Sequence, residues 1–279
     1  MSSLIIPILI LSVLGILFGA GLAYASKKFE VKVDERVAAV RDILPGANCG
    51  ACGQTGCDGF AEALVEGRVL PNGCPVGGAE TAIAVGKIMG VEVDTTEVKA
   101  ARVHCNGRDS VSKYKFEYYG MEDCAAAAQL FAGRKYCTYG CLGLGSCVKA
   151  CPFDAIAIVN GIARIIEDRC KSCGKCVATC PKKLIELVPR SKEYSVMCRS
   201  KDKGPMTKKN CDVGCIGCTK CVKTCQHDAI HMEGFLAKID YDKCVNCGEC
   251  MNVCPTMAIR RLNYTNNVQS VAANGKDPG

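Results

Sequence analysis

The stretch Cys170-Lys171-Ser172-Cys173-Gly174-Lys175-Cys176-Val177-Ala178-Thr179-Cys180-Pro181 decides the fold of this chain. Its spacing is that of the bacterial ferredoxin run, in which three thiolates bind one cubane iron-sulfur cluster and the fourth binds the neighbouring cluster. The same spacing recurs from Cys244 to Pro255, and a third run from Cys215 to Cys225 has Gln226 where proline is usual. The runs therefore predict paired cubane sites.

The cysteine runs belong to an internal duplication. When the chain is shifted by 74 positions, Cys124 falls on Cys198, and each further cysteine as far as Cys180 also falls on a cysteine. Cys218 alone has no counterpart, because Leu144 occupies its place. We therefore expect an α+β chain that ends in two tandem bacterial-type 2[4Fe-4S] ferredoxin modules.

The cysteine content and the net charge of the chain limit which kinds of site have to be considered. The chain has 279 residues and 24 cysteines, so a disulfide framework and zinc sites both have to be weighed. Zinc sites use two separated cysteine pairs, whereas these runs add a third cysteine after two residues and a fourth after three, which favours iron-sulfur. The formal charge of +7 is not accompanied by any nucleic-acid-binding motif, so we expect no nucleic acid partner.

The N-terminus is long and apolar enough to cross a lipid bilayer. Residues Leu4 to Ala25 carry no charge and would form a helix of roughly 33 Å. A cleaved signal peptide is the competing interpretation, but no basic residue precedes the apolar run. Lys27, Lys28 and Lys32 follow it, which predicts a single-pass anchor in the cytoplasmic membrane with the N-terminus outside and the iron-sulfur domains in the cytoplasm.

The rest of the chain divides at changes of pattern. Asp34 is expected to cap a short helix, residues 111–119 alternate like a strand, and Asn160-Gly161 predicts a hairpin. The predicted parts are the transmembrane anchor 1–28, a four-cysteine iron-sulfur domain 29–90, a connecting segment 91–136, the first ferredoxin module 137–197, the second module 198–264 and a mobile tail 265–279.

Crossed ligation distributes the cysteines into sets of four. Four sets follow directly from the runs and from the spacing near the N-terminus: Cys215, Cys218, Cys221 and Cys254; Cys244, Cys247, Cys250 and Cys225; Cys170, Cys173, Cys176 and Cys151; Cys49, Cys52, Cys57 and Cys74. A fifth set has Cys141, Cys147 and Cys180 and needs a substitute at Leu144, for which Cys137 is predicted and Cys124 is the alternative.

Four cysteines then remain, namely Cys105, Cys124, Cys198 and Cys211. They would complete a sixth [4Fe-4S] cluster, the alternative being buried free thiols, which are common for cysteine. The sequence therefore predicts six clusters, and five at minimum.

The anchor, the segment Leu44-Pro45-Gly46-Ala47-Asn48-Cys49-Gly50-Ala51-Cys52-Gly53 and the ferredoxin repeats together resemble the RnfB family, the B subunits of the ion-translocating Rnf complex. The duplication and Leu144 depart from the short members of that family. The resemblance implies a subunit of a ferredoxin:NAD oxidoreductase that takes electrons from reduced ferredoxin and passes them to membrane and flavin subunits. That complex pumps Na+ or H+.

The sequence adds no catalytic constellation to this picture. No nucleotide-binding glycine motif in a strand-helix context, P-loop or acid-base pair is present, so the redox clusters are the only expected reactive groups. Basic residues between Lys182 and Lys209 could steer an acidic redox partner such as ferredoxin. A cluster scaffold, or a wiring subunit of another membrane oxidoreductase, remains the alternative.

Overall fold

The computed structural model describes residues 2–28, 34–93 and 97–262. Helix α1, Ser2–Lys28, contains one span, Leu9–Lys28, that is long and apolar enough to cross a membrane. Length and composition alone support this, and a signal sequence would pass the same test. The predicted mobile tail, 265–279, lies outside the described residues.

Three helices form a small N-terminal domain. Helix α2 is Glu35–Ile43, α3 is Cys57–Val65 and α4 is Gly78–Met89. Asp34 caps α2 as predicted, because its carboxylate accepts a hydrogen bond from the Arg36 backbone N–H at 2.9 Å. Apolar side chains from the three helices pack together in the core of this domain: Val40, Leu44, Phe60, Ala61, Leu64 and Val85.

Residues 99–189 form a second compact unit, which we call the first repeat. Its elements in chain order are β1 Lys99–Val103, α5 Cys124–Gln129, α6 Ser146–Lys149, β2 Ile156–Val159, β3 Ile162–Ile165, α7 Lys175–Thr179 and β4 Ile185–Pro189. Strands β2 and β3 form the predicted antiparallel hairpin, and β1 pairs antiparallel with β4, Lys99 opposite Pro189.

Residues 194–261 form the second repeat with nearly the same element order. Its elements are β5 Tyr194–Val196, α8 Gly204–Asn210, α9 Lys220–Thr224, β6 Ile230–Glu233, β7 Leu236–Ile239, α10 Glu249–Asn252 and β8 Ile259–Arg261. Strand β5 pairs with β8, and β6 pairs with β7. The sheet pattern of the first repeat therefore recurs.

Two expectations for residues 91–136 differ from the structure. Strand β1 lies within this predicted connecting segment but pairs with β4, so it belongs to the sheet of the first repeat. The predicted strand at 111–119 is wrong, since only isolated bridges form, from Ser112 to Cys211 and from Tyr114 to Lys135. The hydroxyl of Ser112 instead donates to the carbonyls of Gly107 and Arg108, which keeps this segment coiled.

The two repeats touch through the segments that follow β1 and β5. The His104 ring Nδ1 lies 3.0 Å from the Val196 carbonyl oxygen, and the Asn106 N–H donates to the Met197 carbonyl at 3.1 Å. Arg199 also pairs with Glu186, which lies on β4. Backbone and charge contacts thus join the halves next to Cys105 and Cys198.

Candidate metal centres

Four apolar cavities are each lined by one complete four-cysteine set. The set of Cys49 lines a cavity of about 320 Å³, that of Cys170 one of about 330 Å³, that of Cys215 one of about 340 Å³ and that of Cys244 one of about 370 Å³, all partly open to solvent. These are the four sets that the runs predict directly. The structure therefore brings their side chains together.

The crossed arrangement is visible in the three cavities of the repeats. Cys151 joins Cys170, Cys173 and Cys176 around one cavity, although it precedes them by a whole hairpin. In the second repeat, Cys254 joins the Cys215 run and Cys225 joins the Cys244 run. The β2–β3 and β6–β7 hairpins bring each distant cysteine back to its set, because they fold the chain between the runs.

Backbone amides are directed at cysteine sulfur in these sets. The N–H of Ala101 donates to Cys170 Sγ at 3.4 Å, and that of Ala155 donates to Cys151 Sγ at 3.4 Å. In the second repeat the N–H of Ala258 donates to Cys254 Sγ at 3.3 Å. Such donors stabilise a thiolate and are a main means by which proteins set cluster potentials.

Burial without a cation is unfavourable for these thiolates. It raises the pKa of Cys176 and of Cys250 to about 12, and neighbouring thiols of the same set raise both further. A bound iron centre would reverse this effect, because a metal deprotonates the thiol that coordinates it. The sets are therefore suited to a positively charged core.

Single metal ions fit these residues less well than a cubane does. Within the described ranges, no three His, Cys, Asp or Glu side chains converge closely enough to hold one ion. A tetrahedral zinc ion with bonds of about 2.3 Å would need its sulfurs within about 3.8 Å of each other. The larger core of a cubane accommodates the wider separation.

The cysteine that accompanies Cys141, Cys147 and Cys180 is Cys124. Burial raises the pKa of Cys147 to about 12, and the nearby thiols of Cys141, Cys124, Cys180 and Cys176 add to it. The Ser146 hydroxyl accepts a hydrogen bond from the Cys124 N–H at 2.7 Å, which holds Cys124 beside Cys147. The structure therefore places Cys124, and not the predicted Cys137, beside these three thiols.

Cys137 lies instead with Cys105, Cys198 and Cys211. Burial raises the pKa of Cys198 to about 12 and that of Cys211 to about 11, and the thiols of Cys105 and Cys137 raise both. The structure thus places Cys137, where Cys124 was predicted, with the other three members of the predicted sixth set of Cys105, Cys124, Cys198 and Cys211. We call Cys105, Cys137, Cys198 and Cys211 the junction set, because the repeats meet there.

A sequence signal for the junction set exists. Cys105 follows Val103 of β1 by two residues, just as Cys198 follows Val196 of β5. The shift of 74 positions hides this match, since the first repeat carries extra residues between Cys105 and Cys137.

One residue that no sequence pattern singled out is Lys135, which is 1% exposed and donates to the Gly107 carbonyl at 2.6 Å.

Thiols of neighbouring sets lie close enough to change one another's pKa, and we call the resulting series of neighbouring sets the line of sets. Cys49 of the N-terminal domain adds to the raised pKa of Cys173, after burial and Cys151, so these two sets are neighbours. The thiol of Cys176 similarly adds to the raised pKa of Cys147, and the thiol of Cys221 adds to that of Cys250. The junction set lies between the repeats, because the Cys141 N–H donates to Cys105 Sγ at 3.4 Å and the Cys215 N–H bonds Cys198.

In the basic segment from Lys182 to Lys209, some lysines are bound to backbone carbonyls and others are exposed to solvent. Lys182 donates to the Ala132 and Thr138 carbonyls, and Lys192 donates to the Cys244 carbonyl at 2.7 Å. Four lysines around α8 are exposed: Lys201, Lys203, Lys208 and Lys209. They form a basic surface immediately before Cys211.

Three family models match separate parts of the chain. A model described as a putative Fe-S cluster matches residues 44–76, the LdpA Fe-S cluster-binding domain matches residues 145–191, and a 4Fe-4S dicluster domain matches residues 214–258. The matched ranges contain the cysteines that line the four cavities. They support iron-sulfur sites in the N-terminal domain and in both repeats.

Curated relatives align over most of the chain. The B subunit of the Na(+)-translocating ferredoxin:NAD(+) oxidoreductase complex of Acetobacterium woodii is 47% identical over 93% of this chain and 78% of its own length. The B subunit of the ion-translocating oxidoreductase complex of Methanosarcina acetivorans is 44% identical, covering 93% and 99%. The B subunit of the proton-translocating ferredoxin:NAD(+) oxidoreductase complex of Clostridium ljungdahlii is 41% identical, covering 98% of each chain.

Proposed function

Because the chain belongs to the RnfB family, the B subunits of ion-translocating oxidoreductase complexes, we propose that it accepts electrons from reduced ferredoxin and relays them into a membrane complex that reduces NAD. Its role as an electron-transfer subunit follows from the family and its iron-sulfur domains. The relatives from Acetobacterium woodii and Clostridium ljungdahlii are subunits of ferredoxin:NAD(+) oxidoreductase complexes, which supports ferredoxin as the electron donor and NAD as the acceptor.

Four cavities, each lined by a complete four-cysteine set, give this proposal its main support, and the sets neighbour one another. The two repeats act as tandem ferredoxin modules, and together with the N-terminal domain they hold five [4Fe-4S] clusters through the four cavity-lining sets and the set of Cys124, Cys141, Cys147 and Cys180. A bound cluster supplies one-electron transfer without a proton or a substrate. The contact between Cys49 and Cys173 favours the N-terminal domain as one end of the line.

The protein's own residues supply the environment. Amides such as those of Ala101 and Ala258 stabilise the thiolates, and buried side chains such as Ile156, Ile165 and Ile239 form the apolar walls of the cavities. No acid, base or nucleophile is required of the chain. This fits a relay, with flavin and nicotinamide chemistry in other subunits.

Helix α1 serves as a single-pass anchor in this proposal. Lys27 and Lys28 in its last turn favour a cytoplasmic position for the residues that follow, with the N-terminus outside. A reporter fused at either end of the chain tests the orientation. Activity of a periplasm-dependent reporter at the C-terminus would contradict it.

Ferredoxin is proposed to dock on the basic surface of Lys201, Lys203, Lys208 and Lys209. Exposed lysines attract an acidic partner, and Met206 on the same helix is 51% exposed and offers an apolar contact. The surface adjoins Cys211, so a docked partner would lie near the middle of the line of sets. Docking there is compatible with transfer towards the N-terminal domain.

The proposal is tested by mixing the anaerobic, cluster-loaded protein with reduced ferredoxin in a stopped-flow spectrometer. We expect rapid bleaching of the iron-sulfur absorbance, with a rate that falls as salt is added. A protein that hands its clusters to an apo-protein but does not bleach would be a cluster scaffold instead. That outcome would refute the relay.

A further inference from the structure

The two repeats contribute equally to the junction set. Cys105 follows β1 and Cys198 follows β5 at the same spacing, while Cys137 and Cys211 are matched by the shift of 74 positions. All four residues lie outside the three ranges that the family models match. A pair of equivalent positions from each repeat thus meets at one place.

Two glycines lie directly beside these sulfurs. A Cβ atom at Gly107 would lie 3.6 Å from Cys105 Sγ and 3.6 Å from Cys211 Sγ. A Cβ atom at Gly140 would lie 3.7 Å from Cys137 Sγ. A Cβ atom at Gly107 would thus touch sulfurs of both repeats at van der Waals distance, so Cys105 and Cys211 lie on one side of this glycine.

Each of the four sulfurs has an amide donor. The Cys141 N–H donates to Cys105 Sγ at 3.4 Å, and the Ser200 N–H donates to Cys198 Sγ at 3.4 Å. Backbone N–H groups also bond Cys137, from Tyr139 and Gly140, and Cys211, from Val213. A buried free thiol packs as a small apolar group and needs no such donors, whereas a metal-bound thiolate does.

The N–H groups that donate to Cys105 and to Cys198 occupy equivalent positions in the two repeats. Cys141 and Cys215 are matched by the duplication, and each directs its N–H at the junction cysteine of its own repeat, Cys105 and Cys198 respectively. Both also belong to neighbouring four-cysteine sets. The junction set is therefore linked in the same way to one set of each repeat.

We propose that Cys105, Cys137, Cys198 and Cys211 bind one further [4Fe-4S] cluster, with two ligands from each repeat, which bridges the first and second repeats. This inference rests on the proposed function, since it adds a sixth site to the same line. It gives the repeats a shared covalent metal link beside the contacts of His104 and Asn106. It would place a redox centre between the sets that contain Cys141 and Cys215.

The test compares iron content of full-length, anaerobically loaded variants. One variant removes the first repeat's ligands (Cys105→Ala with Cys137→Ala), a second removes those of the second repeat (Cys198→Ala with Cys211→Ala), and a third carries all four changes. Each is expected to lose about four irons, and the fourfold variant no more than either pair. Losses that add up to about eight would mean separate centres and would overturn the proposal.

Two controls keep the result interpretable. The pair Cys215→Ala with Cys218→Ala empties a different set, so its loss should add to that of either junction pair. Gly107→Val leaves every thiol in place but sets a branched side chain against Cys105 and Cys211, where a cluster would lie, and it should also cost about four irons. Full iron content in Gly107→Val and in the junction variants would overturn the inference.

Failure of the inference is distinguishable from failure of the proposed function. About 20 irons in the wild-type protein, unchanged in all junction variants, would leave five clusters and the relay standing but remove the bridge. Iron close to zero in the wild type would refute the proposed function itself. Limited proteolysis adds a second readout, since the junction variants should be cut between the repeats, near residue 192, faster than the wild type.

Discussion

Lys135 is a buried lysine whose charge acts on thiols of two cysteine sets. It is 1% exposed, its ammonium group donates to the carbonyls of Gly107 at 2.6 Å and Gly161 at 3.2 Å, and it faces the Tyr114 ring. Its charge also favours the thiolates of Cys141 and Cys211, because it lowers the pKa of both against the larger effect of burial. A buried cation here favours the reduced state of any adjacent centre.

Replacing Lys135 with Met should therefore lower the reduction potentials of the two centres that would contain Cys141 and Cys211. A unit charge within roughly 10 Å at an effective dielectric of about 20 contributes about 1.5 kcal/mol, on the order of 60 mV for one electron. An EPR-monitored redox titration measures the shift. Lys135→Arg retains the charge and should restore both potentials.

Lys115→Met is the matched control for Lys135→Met. Lys115 also donates to a backbone carbonyl, that of Phe131 at 2.7 Å, but its contact is exposed and solvent screens its charge. Its removal should leave all potentials unchanged. Equal shifts in both variants, or none in Lys135→Met, would contradict an electrostatic role for Lys135.

Cys124 offers a second test at this scale. If it accompanies Cys141, Cys147 and Cys180, then Cys124→Ala combined with Cys180→Ala should lose about four irons, no more than Cys180→Ala with Cys147→Ala. Iron analysis decides this. A combined loss of about eight would place Cys124 in another centre.

At the scale of elements, the β2–β3 hairpin presses against the loop that carries Leu144. Gly143 has φ +74°, and a Cβ atom there would lie 2.5 Å from the Gly161 carbonyl oxygen. Gly217 repeats the arrangement in the second repeat, where a Cβ atom would lie 2.9 Å from the Phe235 carbonyl oxygen. Glycine is therefore required at both positions by backbone conformation and by space.

Gly143→Ala should destabilise the loaded protein more than Gly174→Ala does. Both residues have positive φ, which costs an alanine about 1 kcal/mol, but only Gly143 also lacks room, since nothing lies within 4 Å of a Cβ atom at Gly174. Thermal unfolding under anaerobic conditions measures the difference. Equal melting temperatures of the two variants would show that the β2–β3 hairpin shifts to make room for an alanine side chain at position 143 without loss of stability.

The elements also show how far sequence reasoning reaches. The hairpin at Asn160-Gly161 and the cap at Asp34 were predictable, because each depends on a few adjacent residues. The cysteine that replaces the ligand missing at Leu144 was not predictable. Cys124 is held beside its set by a hydrogen bond from its N–H to Ser146, which lies 22 residues away in the chain. The pairing of β1 with β4 likewise joins Lys99 to Pro189 and leaves no local signature.

At the scale of the whole molecule, the sets of cysteines form a line that the duplication extends. The N-terminal set meets the first repeat at Cys173, and the second repeat continues the line beyond the junction set. The spacing of the runs predicted the members of four sets. Their order could not be predicted, because it depends on how the repeats and the N-terminal domain pack.

Reversing the charge of Lys201, Lys203, Lys208 and Lys209 should slow electron uptake from ferredoxin at low salt by about tenfold or more and flatten the salt dependence. Stopped-flow bleaching measures both effects. Reversal of Lys171 and Lys175, exposed lysines of the first repeat, is the matched control. An unchanged rate in the fourfold variant would exclude this docking surface.

We propose that the thiols of this chain hold cubane clusters. Mössbauer spectroscopy with iron quantification on the anaerobically purified full-length protein is the sharpest test of this claim. We predict about 24 irons per chain, all in [4Fe-4S] form, six clusters for the 24 cysteines. Bound zinc, or paired sulfurs with little iron, would contradict this claim.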